Sequence, residues 1–391
     1  MPLVSGFLTE TQQSIQELAR QFVADDVWPV STLLEKGEAA GDDYATLRHL
    51  WQRMGELGFT GLPFPEQYGG SATDSLSYFL VLTEIAKASA ALATALSVHV
   101  SLIGLPLLEF GTPEQQAKYL PNLITAQTIG AFALTEANAG SDAASGLCKA
   151  EKDGDDYVLN GTKLFISNAM LADVFLVTAR TNPGDTTHRG LSAFIIERGM
   201  AGFSIVPGEE KMGLKGGDWG ELVFDNCRIP ASQRFGPEGH GFKVFMNSLN
   251  VGRIGIASVS LGVAQACLDA SLKYSAERQQ FGQSINQFQA IQFKLADMAT
   301  EIEAAKQLVI SAARLKEGKQ PFAQEASMAK LYASELANRC ANTAVQIHGG
   351  YGYTTDFPVE RFFRDARVMS LFEGTSEIQR TIIARGLTTA R

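Results

Sequence analysis

Cysteine is scarce in this sequence, and the four residues present are too far apart to form a zinc or dithiol motif. They are Cys148, Cys227, Cys267 and Cys340. The sequence also lacks the phosphate-binding patterns GxxxxGKS/T and GxGxxG, the metalloprotease pattern HExxH and the serine-hydrolase pattern GxSxG. Zinc chemistry, ATP hydrolysis, a serine nucleophile and a Rossmann nicotinamide site therefore have no sequence support, and no metal is expected.

Positive charge and long apolar runs are also in short supply. The 391 residues include 42 Asp and Glu against 33 Lys and Arg, a formal net charge of −9, which argues against a nucleic-acid binder. No segment has 18 consecutive uncharged apolar residues, so no membrane span is expected, and the run 88–108 favours a buried core helix. The N-terminus MPLVSGFLTE has no basic start and no apolar signal core. We therefore expect a cytoplasmic protein of bacterial type, or a mitochondrial-matrix protein if the chain is a processed mature form.

The sequence pattern changes twice along the chain, which predicts three domains. Helical periodicity dominates the first third, short apolar runs separated by turn residues follow, and long helices return afterwards. We predict an α+β protein with an N-terminal α-helical domain (1–127), a middle antiparallel β-barrel or β-sandwich domain (128–235) and a C-terminal helical bundle (236–391).

Capping residues predict where several helices begin. Thr9 and Thr112 are expected to be N-caps, the second followed by Pro113 at the first helical position. Ser376 and Gln379 are predicted to form a capping box at the start of the last helix. The other stretches predicted as helices are 43–57, a long segment from about residue 74, 245–276, 286–316 and 322–347.

Glu373, within the segment 371–380 (LFEGTSEIQR), is the strongest candidate for a chemical role. It lies in a short loop between an apolar pair and the predicted last helix. Partial burial raises the pKa of a carboxyl group while a helix N-terminus lowers it, so such a group can be tuned for proton abstraction. The alternative is that Glu373 only interacts favourably with the helix dipole, and the residue pattern leaves both open.

Three other groups of residues, the last drawn from two segments, are suited to a flat, phosphate-bearing ligand. The loop 134–142 (LTEANAGSD) offers hydroxyls and backbone donors, and Phe165 and Ser167 in LFISNA are expected on one strand face. Arg278 in ERQQFG is suited to a pyrophosphate, which the glycine-rich loop 348–353 (HGGYGY) can approach closely. Each segment also has an ordinary explanation: a capped turn, a core Phe beside a hydrogen-bonded Ser, or a surface Arg paired with an acidic neighbour.

Together these segments resemble the acyl-CoA dehydrogenases over nearly the whole chain, most closely the short-chain, butyryl-CoA-like members. The resembling segments are YGG (68–70), FGTPEQQAKYLP (110–121), LTEANAGSD (134–142), LNGTKLFISNA (159–169), NVGRIGIASVSLGVAQA (250–266), ERQQFG (277–282), FQAIQFKLADM (288–298), AVQIHGGYGY (344–353), RFFRDAR (361–367) and EGTSEIQR (373–380). The resemblance implies a helical domain, a β domain and a C-terminal four-helix bundle. It further implies one non-covalent FAD per subunit, an acyl-CoA substrate, an electron-transfer flavoprotein as electron acceptor, and a homotetramer built as a dimer of dimers.

The resemblance also assigns roles to individual residues. Glu373 stands where most members keep the catalytic base, whereas the position used by a minority is Gly252 here, which has no side chain to act. The residues that match cofactor-binding positions are Phe132, Leu134, Thr135, Ser141, Phe165, Ile166, Ser167, Arg278, Phe281, Gln289, Gln346, Gly349, Gly350, Thr375 and Glu377. Those that match acyl-CoA contacts are Ser141, Asn250, Arg253 and Gly374, and Tyr78 and Val98 are expected near the end of the acyl pocket.

Three residues depart from the family pattern: Phe165 replaces a frequent Trp, Ser167 a frequent Thr, and Asn250 a frequent Asp. The first two keep an aromatic ring and a hydroxyl donor, whereas the third removes a charge near the CoA moiety. The reaction that the resemblance implies is abstraction of the acyl α-proton by Glu373, with transfer of the β-hydride to flavin N5 to give a trans-2-enoyl-CoA. The alternatives are an acyl-CoA oxidase or an enoyl-CoA reductase of the same fold, and a flavin-free scaffold or assembly protein.

Overall fold

The computed structural model describes residues 8–36 and 44–389. The predictions made for residues 1–7, for residue 43 and for the end of the chain beyond residue 389 lie outside the described residues. The helices are α1 (Glu10–Phe22), α2 (Ser31–Glu35), α3 (Ala45–Glu56), α4 (Ser75–Ala88), α5 (Ala90–Ser97), α6 (Leu105–Phe110), α7 (Pro113–Ile124), α8 (Gly241–Glu277), α9 (Gln289–Glu317), α10 (Ala323–His348), α11 (Val359–Met369) and α12 (Ser376–Thr389). The strands are β1 (Gly130–Ala133), β2 (Lys149–Asp153), β3 (Asp156–Ser167), β4 (Val174–Arg180), β5 (Leu191–Glu197), β6 (Phe203–Pro207), β7 (Trp219–Pro230), β8 (Arg234–Phe235), β9 (Gln279–Gln280) and β10 (Gln283–Ser284).

Helix caps are set by local chemistry at two of the three predicted places. Thr9 and Thr112 each cap their helix, as predicted, and in both cases the structure adds a complete capping box. The prediction for α12 is wrong. The hydroxyl of Thr375 accepts the hydrogen bond from the backbone N–H of Ile378 at 3.3 Å, while Ser376 donates its hydroxyl to Glu335 at 2.6 Å. The Ser376 hydroxyl, which the local pattern assigned to the cap, is instead hydrogen-bonded to a carboxylate of another helix.

The middle domain is one eight-stranded sheet with the order β6-β7-β3-β2-β4-β5-β8, in which β1 also pairs with β4. Most pairs are antiparallel, as expected, but β1–β4 and β2–β4 are parallel, which the sequence pattern does not indicate. The segments DYVLNG and LFISN, which are separate apolar runs in the sequence, form the single strand β3 with irregular register against β7. Those irregularities re-aim the end of β3 toward the helical domains.

The C-terminal domain is built around α10, which packs against α8, α9, α11 and α12. Helix α8 also packs against α4 and α5 of the N-terminal domain. Glycines on α8 allow this close approach: a Cβ at Gly262 would lie 2.3 Å from the carbonyl oxygen of Thr83, and one at Gly255 would lie 2.3 Å from the Ser97 hydroxyl. The N-terminal and C-terminal domains therefore share one core.

Two helical stretches, Ala90–Phe110 and Gly241–Glu277, are long and apolar enough to cross a membrane by length and composition alone. Within the protein, 89% and 94% of their most apolar windows are buried. Core helices of globular proteins pass the same test, and the first of these stretches is the segment predicted to be a buried core helix. In the middle of the stretch Ala90–Phe110 the chain forms a π-helix, Val98–Gly104. Val98 and Leu102 of this π-helix border a cavity between the domains.

Candidate functional site

A cavity of about 190 Å³ lies where the three domains meet. The residues that line it are Thr94, Val98 and Leu102 from the N-terminal domain; Phe132, Leu134, Thr135, Gly140, Ser141, Ala143, Phe165, Ile166 and Ser167 from the middle domain; and Met246, Leu249, Arg253, Phe372, Glu373, Gly374 and Ile378 from the C-terminal domain. The fold thus brings together seven predicted cofactor residues of the middle domain, the predicted base, and two further predicted acyl-CoA residues.

The predicted base sits on a tightly held turn between α11 and α12. Glu373 has a φ of 50° and Gly374 a φ of 95°, so two consecutive residues occupy the left-handed region. The Gln379 side chain donates to the carbonyl oxygens of Glu373 and Gly374, at 3.1 and 2.9 Å. Lys330 on α10 donates to the Gly374 carbonyl at 2.8 Å. Side chains from two helices therefore hold a backbone conformation that a glutamate rarely adopts.

The Glu373 carboxylate is buried without a hydrogen-bond partner. The residue as a whole is partly accessible, but neither carboxylate oxygen is exposed to solvent and neither finds a partner among the described residues. Burial raises the pKa of Glu373 to about 7, and the positive charges of Lys330 and Arg253 lower it in the opposite direction. A group with a pKa near the working pH is suited to general-base catalysis, since it is substantially ionised and still a usable base.

Gly252 on α8 faces Glu373 directly. A Cβ at Gly252 would lie 2.2 Å from Oε2 of Glu373 and 2.8 Å from a methyl group of Leu102. The absence of a side chain at 252 therefore leaves the space that the Glu373 carboxylate occupies. A side chain at 252 and the Glu373 carboxylate would therefore occupy the same space.

An aromatic pair lies at the mouth of the cavity. Phe165 has a φ of 59°, is 62% exposed, and stacks on Trp219 with ring centroids 5.2 Å apart. The register of β3 against β7 shifts between Lys163 and Ile166, and this bulge turns the Phe165 ring outward while Ser167 still borders the cavity. Trp219 is not among the residues predicted from the sequence. Its position at the start of β7 becomes meaningful only when β7 pairs with β3.

A buried ion pair fixes the loop that carries the hydroxyl-bearing residues. Lys163 and Glu136 are 1% and 6% exposed, and their charged atoms lie 2.7 Å apart. Lys163 also donates to the carbonyl of Leu134 at 3.0 Å. Glu136 in turn accepts hydrogen bonds from the backbone N–H groups of Leu147 and Cys148, at 2.6 and 3.1 Å. This pair was not predicted from the sequence, although Glu136 lies in the segment 134–142 and Lys163 in the segment 159–169, both of which resemble the family.

The remaining predicted cofactor residues lie away from the central cavity. Arg278, Gly349 and Gly350 line a separate surface groove of about 520 Å³, where the Arg278 guanidinium lies 5.6 Å from the centre of the Tyr351 ring. No atom lies within 4 Å of where a Cβ would stand on either glycine, so the groove is open beside their backbone. The predicted residues Phe281, Gln289, Gln346 and Glu377 are exposed, and Thr375 is half-buried as the cap of α12.

Two predicted substrate residues, Asn250 and Arg253, lie about one turn apart in the first half of α8. Arg253 is 4% exposed, borders the cavity and donates to the side-chain oxygen of Asn250 at 2.6 Å, but its Nε has no partner among the described residues. Burial lowers the pKa of Arg253 to about 10, and the group remains a cation at neutral pH. Val98 lines the cavity as expected, whereas Tyr78 does not: its hydroxyl is buried against Ser101 at 3.2 Å. Among the described residues, no cluster of three His, Cys, Asp or Glu side chains is arranged to hold a metal ion.

Comparison with known families covers almost the whole chain. The acyl-CoA dehydrogenase N-terminal domain matches residues 9–127, the middle domain residues 131–227, and the C-terminal domain residues 239–388. The chain belongs to the acyl-CoA dehydrogenase family. The family, three-domain fold and enzyme class predicted from the sequence are thereby confirmed.

Three relatives show how near the family members are. An acyl-CoA dehydrogenase of Bacillus subtilis is 46% identical, with 97% of this chain and 98% of that protein covered. The CarC subunit of the caffeyl-CoA reductase–Etf complex of Acetobacterium woodii is 43% identical, with 97% and 98% covered. The solved structure of butyryl-CoA dehydrogenase from Megasphaera elsdenii superimposes with a TM-score of 0.94 at 42% identity, covering 98% of this chain and all of the other. Members of this family are flavoproteins.

Proposed function

We propose that this acyl-CoA dehydrogenase binds FAD along the mouth of the central cavity and oxidises short-chain acyl-CoA thioesters to trans-2-enoyl-CoA, with Glu373 as the base. The observation that carries the proposal is the Glu373 carboxylate, which is buried, has no partner and faces a cavity lined by the residues expected to hold cofactor and thioester. A buried polar group without a partner is rare in a folded protein and calls for an explanation. Acceptance of the α-proton of a bound acyl-CoA by this carboxylate supplies that explanation.

The groups around the cavity suit the isoalloxazine ring of FAD. A planar ligand can extend the stack of Phe165 on Trp219, and the hydroxyls of Thr135 and Ser167 stand at the same rim as donors to its polar edge. The Glu136–Lys163 pair fixes the backbone of the loop that carries Thr135. Bound FAD supplies the hydride acceptor for the β-carbon of the acyl chain.

The protein's own residues account for the proton-transfer half of the reaction. Glu373 Oε1 or Oε2 accepts the α-proton, because neither oxygen is engaged by another group. The backbone N–H of Glu373 has no acceptor among the described residues and can donate to the thioester oxygen, where negative charge develops. The apolar walls formed by Val98, Leu102 and Leu249 exclude water from the reacting carbons.

The adenine dinucleotide end of FAD is assigned to the groove beside Arg278. Gly349 and Gly350 leave its floor open, and Arg278 provides a cation for the pyrophosphate. Two aromatic side chains next to this groove, Phe281 and Tyr353, are 95% and 91% exposed. Large exposed aromatic residues are typical of surfaces that meet another chain. We therefore propose that a second copy covers this groove, within a homotetramer built as a dimer of dimers.

Replacement of Arg278 by alanine is expected to weaken FAD binding more than it changes the chemistry. A charge-assisted hydrogen bond to a pyrophosphate contributes about 1.5–3 kcal/mol, which corresponds to a loss of roughly ten- to a hundredfold in affinity. Titration of flavin-stripped protein with FAD measures this directly. Arg228→Ala, which removes an exposed arginine paired with Asp153 on the sheet, is the matched control. An FAD affinity that Arg278→Ala leaves unchanged would remove this residue from the site.

The size of the cavity supports a short acyl chain. Its volume is about 190 Å³, and its lining includes the buried apolar cluster of Val98, Leu102 and Leu249. We expect four- to six-carbon acyl-CoA substrates to bleach the flavin at least 100-fold faster than a sixteen-carbon substrate, because each methylene that does not fit costs about 1–3 kcal/mol. Leu102→Ala should improve the eight-carbon substrate relative to the four-carbon one, whereas Leu107→Ala, which is buried elsewhere, should not. Equal rates across the series would contradict the assignment of this cavity to the acyl chain.

An electron-transfer flavoprotein is the proposed electron acceptor. One relative supports the reverse reaction, reduction of an enoyl-CoA. That relative is a subunit of a reductase complex with Etf, so an enoyl-CoA reductase is the second candidate. The test is anaerobic mixing with a saturated acyl-CoA, followed by addition of either electron-transfer flavoprotein or air. Bleaching followed by reoxidation by the flavoprotein supports the dehydrogenase. Rapid reoxidation by air favours the oxidase, and oxidation of the reduced protein only by an enoyl-CoA favours the reductase. A protein that never takes up FAD would favour the scaffold alternative.

A further inference from the structure

A lysine is buried directly beneath the loop that carries the base. Lys330 on α10 has a relative exposure of 0%, and its ammonium donates to the carbonyl oxygen of Gly374 at 2.8 Å. No carboxylate of the described residues lies within 4.0 Å of it. A buried ammonium is costly unless nearby negative charge and hydrogen bonds compensate for its lost hydration. The position therefore requires a reason beyond packing.

The charged groups around Lys330 leave Glu373 as its principal counter-charge. Arg253 on α8 carries the same sign and disfavours the ammonium. Glu335 on α10 accepts a hydrogen bond from Ser376, and Glu377 on α12 is fully exposed, so solvent screens it. The phenol of Tyr78 on α4, the remaining titratable group near Glu373, is neutral because burial raises its pKa. Among the described groups around Lys330, only the Glu373 carboxylate has both oxygens buried and without a hydrogen-bond partner.

We propose that Lys330 is a positioning residue for the proposed reaction: it fixes the Glu373–Gly374 backbone through the Gly374 carbonyl and keeps the Glu373 carboxylate ionised. This inference rests on the proposed function. Lys330 touches neither acyl-CoA nor FAD in this assignment, and its effect reaches the substrate through Glu373.

The two roles of Lys330, holding the backbone and stabilising the negative charge of Glu373, can be tested separately because Gln379 shares only the first. The Gln379 amide donates to the same Gly374 carbonyl and also to that of Glu373, but it carries no charge. If the ammonium acts by charge, its removal destabilises the ionised carboxylate and raises the pKa of Glu373 above about 7. A rise of about one unit lowers the ionised fraction at pH 7 from one half to roughly one tenth, a fivefold loss of active base.

The experiment compares Lys330→Gln, which keeps an amide donor, with Lys330→Met, which removes charge and donor, and with Gln379→Leu, which removes the neutral donors alone. All are purified with FAD and bleached anaerobically by butyryl-CoA between about pH 5.5 and about pH 9.5, so that a midpoint one unit above the parental value of about 7 lies within the range. We expect the midpoint of the pH profile to move upward by about one unit in both Lys330 variants, and Gln379→Leu to slow bleaching at every pH without moving the midpoint. Lys273→Gln, an exposed lysine of α8, controls for net charge and should behave like the parent.

A second readout does not require turnover. Below about pH 7 Lys330 is protonated in the folded and the unfolded protein, because burial lowers its pKa in the folded protein only to about 8. Glu373, in contrast, binds its proton more tightly in the folded protein. Stability therefore falls as pH rises from about 4.5 toward the folded pKa of Glu373. In Lys330→Gln this fall in Tm should continue to higher pH than in the parent. The difference between the two should vanish when both also carry Glu373→Gln, because Asp218 and Asp365, whose pKa values burial raises to about 6, contribute equally to both profiles.

The outcomes separate the two proposals. A parent protein that butyryl-CoA does not bleach at any pH overturns the proposed substrate, and the Tm series then decides the role of Lys330 alone. A parent that bleaches, with Lys330 variants whose bleaching and Tm profiles keep the parental midpoints, overturns the role of Lys330 and leaves the function standing. If Lys330→Met does not fold, Lys330→Gln still tests the proposal, because its amide retains a donor to the Gly374 carbonyl.

Discussion

Glu373→Gln is expected to lower flavin bleaching by a good acyl-CoA substrate by about 10⁴-fold while FAD and acyl-CoA still bind. Glutamine has the size of glutamate and can occupy the same space beside Gly252, but it cannot accept the α-proton. General-base catalysis contributes roughly 10²–10⁴ in rate, and the upper end applies because the proton leaves carbon. None of the other side chains that line the cavity is a carboxylate or an imidazole that could replace it.

The measurement is anaerobic bleaching in a stopped-flow instrument, with acyl-CoA binding followed separately by the shift in the flavin spectrum. Glu151→Gln is the matched control, because Glu151 is an exposed glutamate of β2 that does not line the cavity. Moving the base offers a stricter test. In the double variant Glu373→Gly with Gly252→Glu, the glycine at 373 removes the carboxylate oxygen that would otherwise lie 2.2 Å from a Cβ at 252. We expect this variant to recover part of the parental bleaching rate. Bleaching by Glu373→Gln at the parental rate would show that another group is the base.

Glu136→Gln is expected to destabilise the protein by about 3–5 kcal/mol, because it leaves the Lys163 ammonium buried without a counter-charge. The substitution also replaces the carboxylate that accepts hydrogen bonds from Leu147 and Cys148, so the loop leading to β2 loses anchoring. FAD retention should fall with stability, since the same ion pair fixes the backbone at Leu134, next to Thr135. Denaturant unfolding of the flavin-bound protein measures the loss.

Two further variants identify the cause of that loss. Glu136→Gln combined with Lys163→Met removes both charges, and it should recover part of the stability because an apolar replacement for a buried pair is often tolerated. Glu210→Gln breaks a solvent-exposed pair with Lys215 and should change the free energy of unfolding by at most about 1 kcal/mol. If Glu136→Gln lowers the free energy of unfolding no more than Glu210→Gln does, the buried ion pair is not what holds the loop.

The helical and strand pattern of this chain was predictable because it depends on neighbouring residues. The caps at Thr9 and Thr112 follow from a hydroxyl placed three residues before a glutamine, and the structure has both. The same logic failed at Ser376. There the deciding contact is with Glu335, 41 positions away, and no local pattern reveals which of two adjacent hydroxyls will face a carboxylate from another helix.

For the site, the sequence by itself determined the identity of the candidate base and most residues around it, because ordered motifs matched a known family from Tyr68 to Arg380. Only the tertiary structure decided that the Glu373 oxygens have no partner, that Gly252 leaves room for them, and that Lys330 lies beneath the loop. It likewise decided that Lys163 and Glu136 meet in the interior. The physical reason is that burial and charge compensation depend on which distant segments pack together. A carboxyl group's pKa of about 7 is thus a property of the assembled fold rather than of the residues on either side of it.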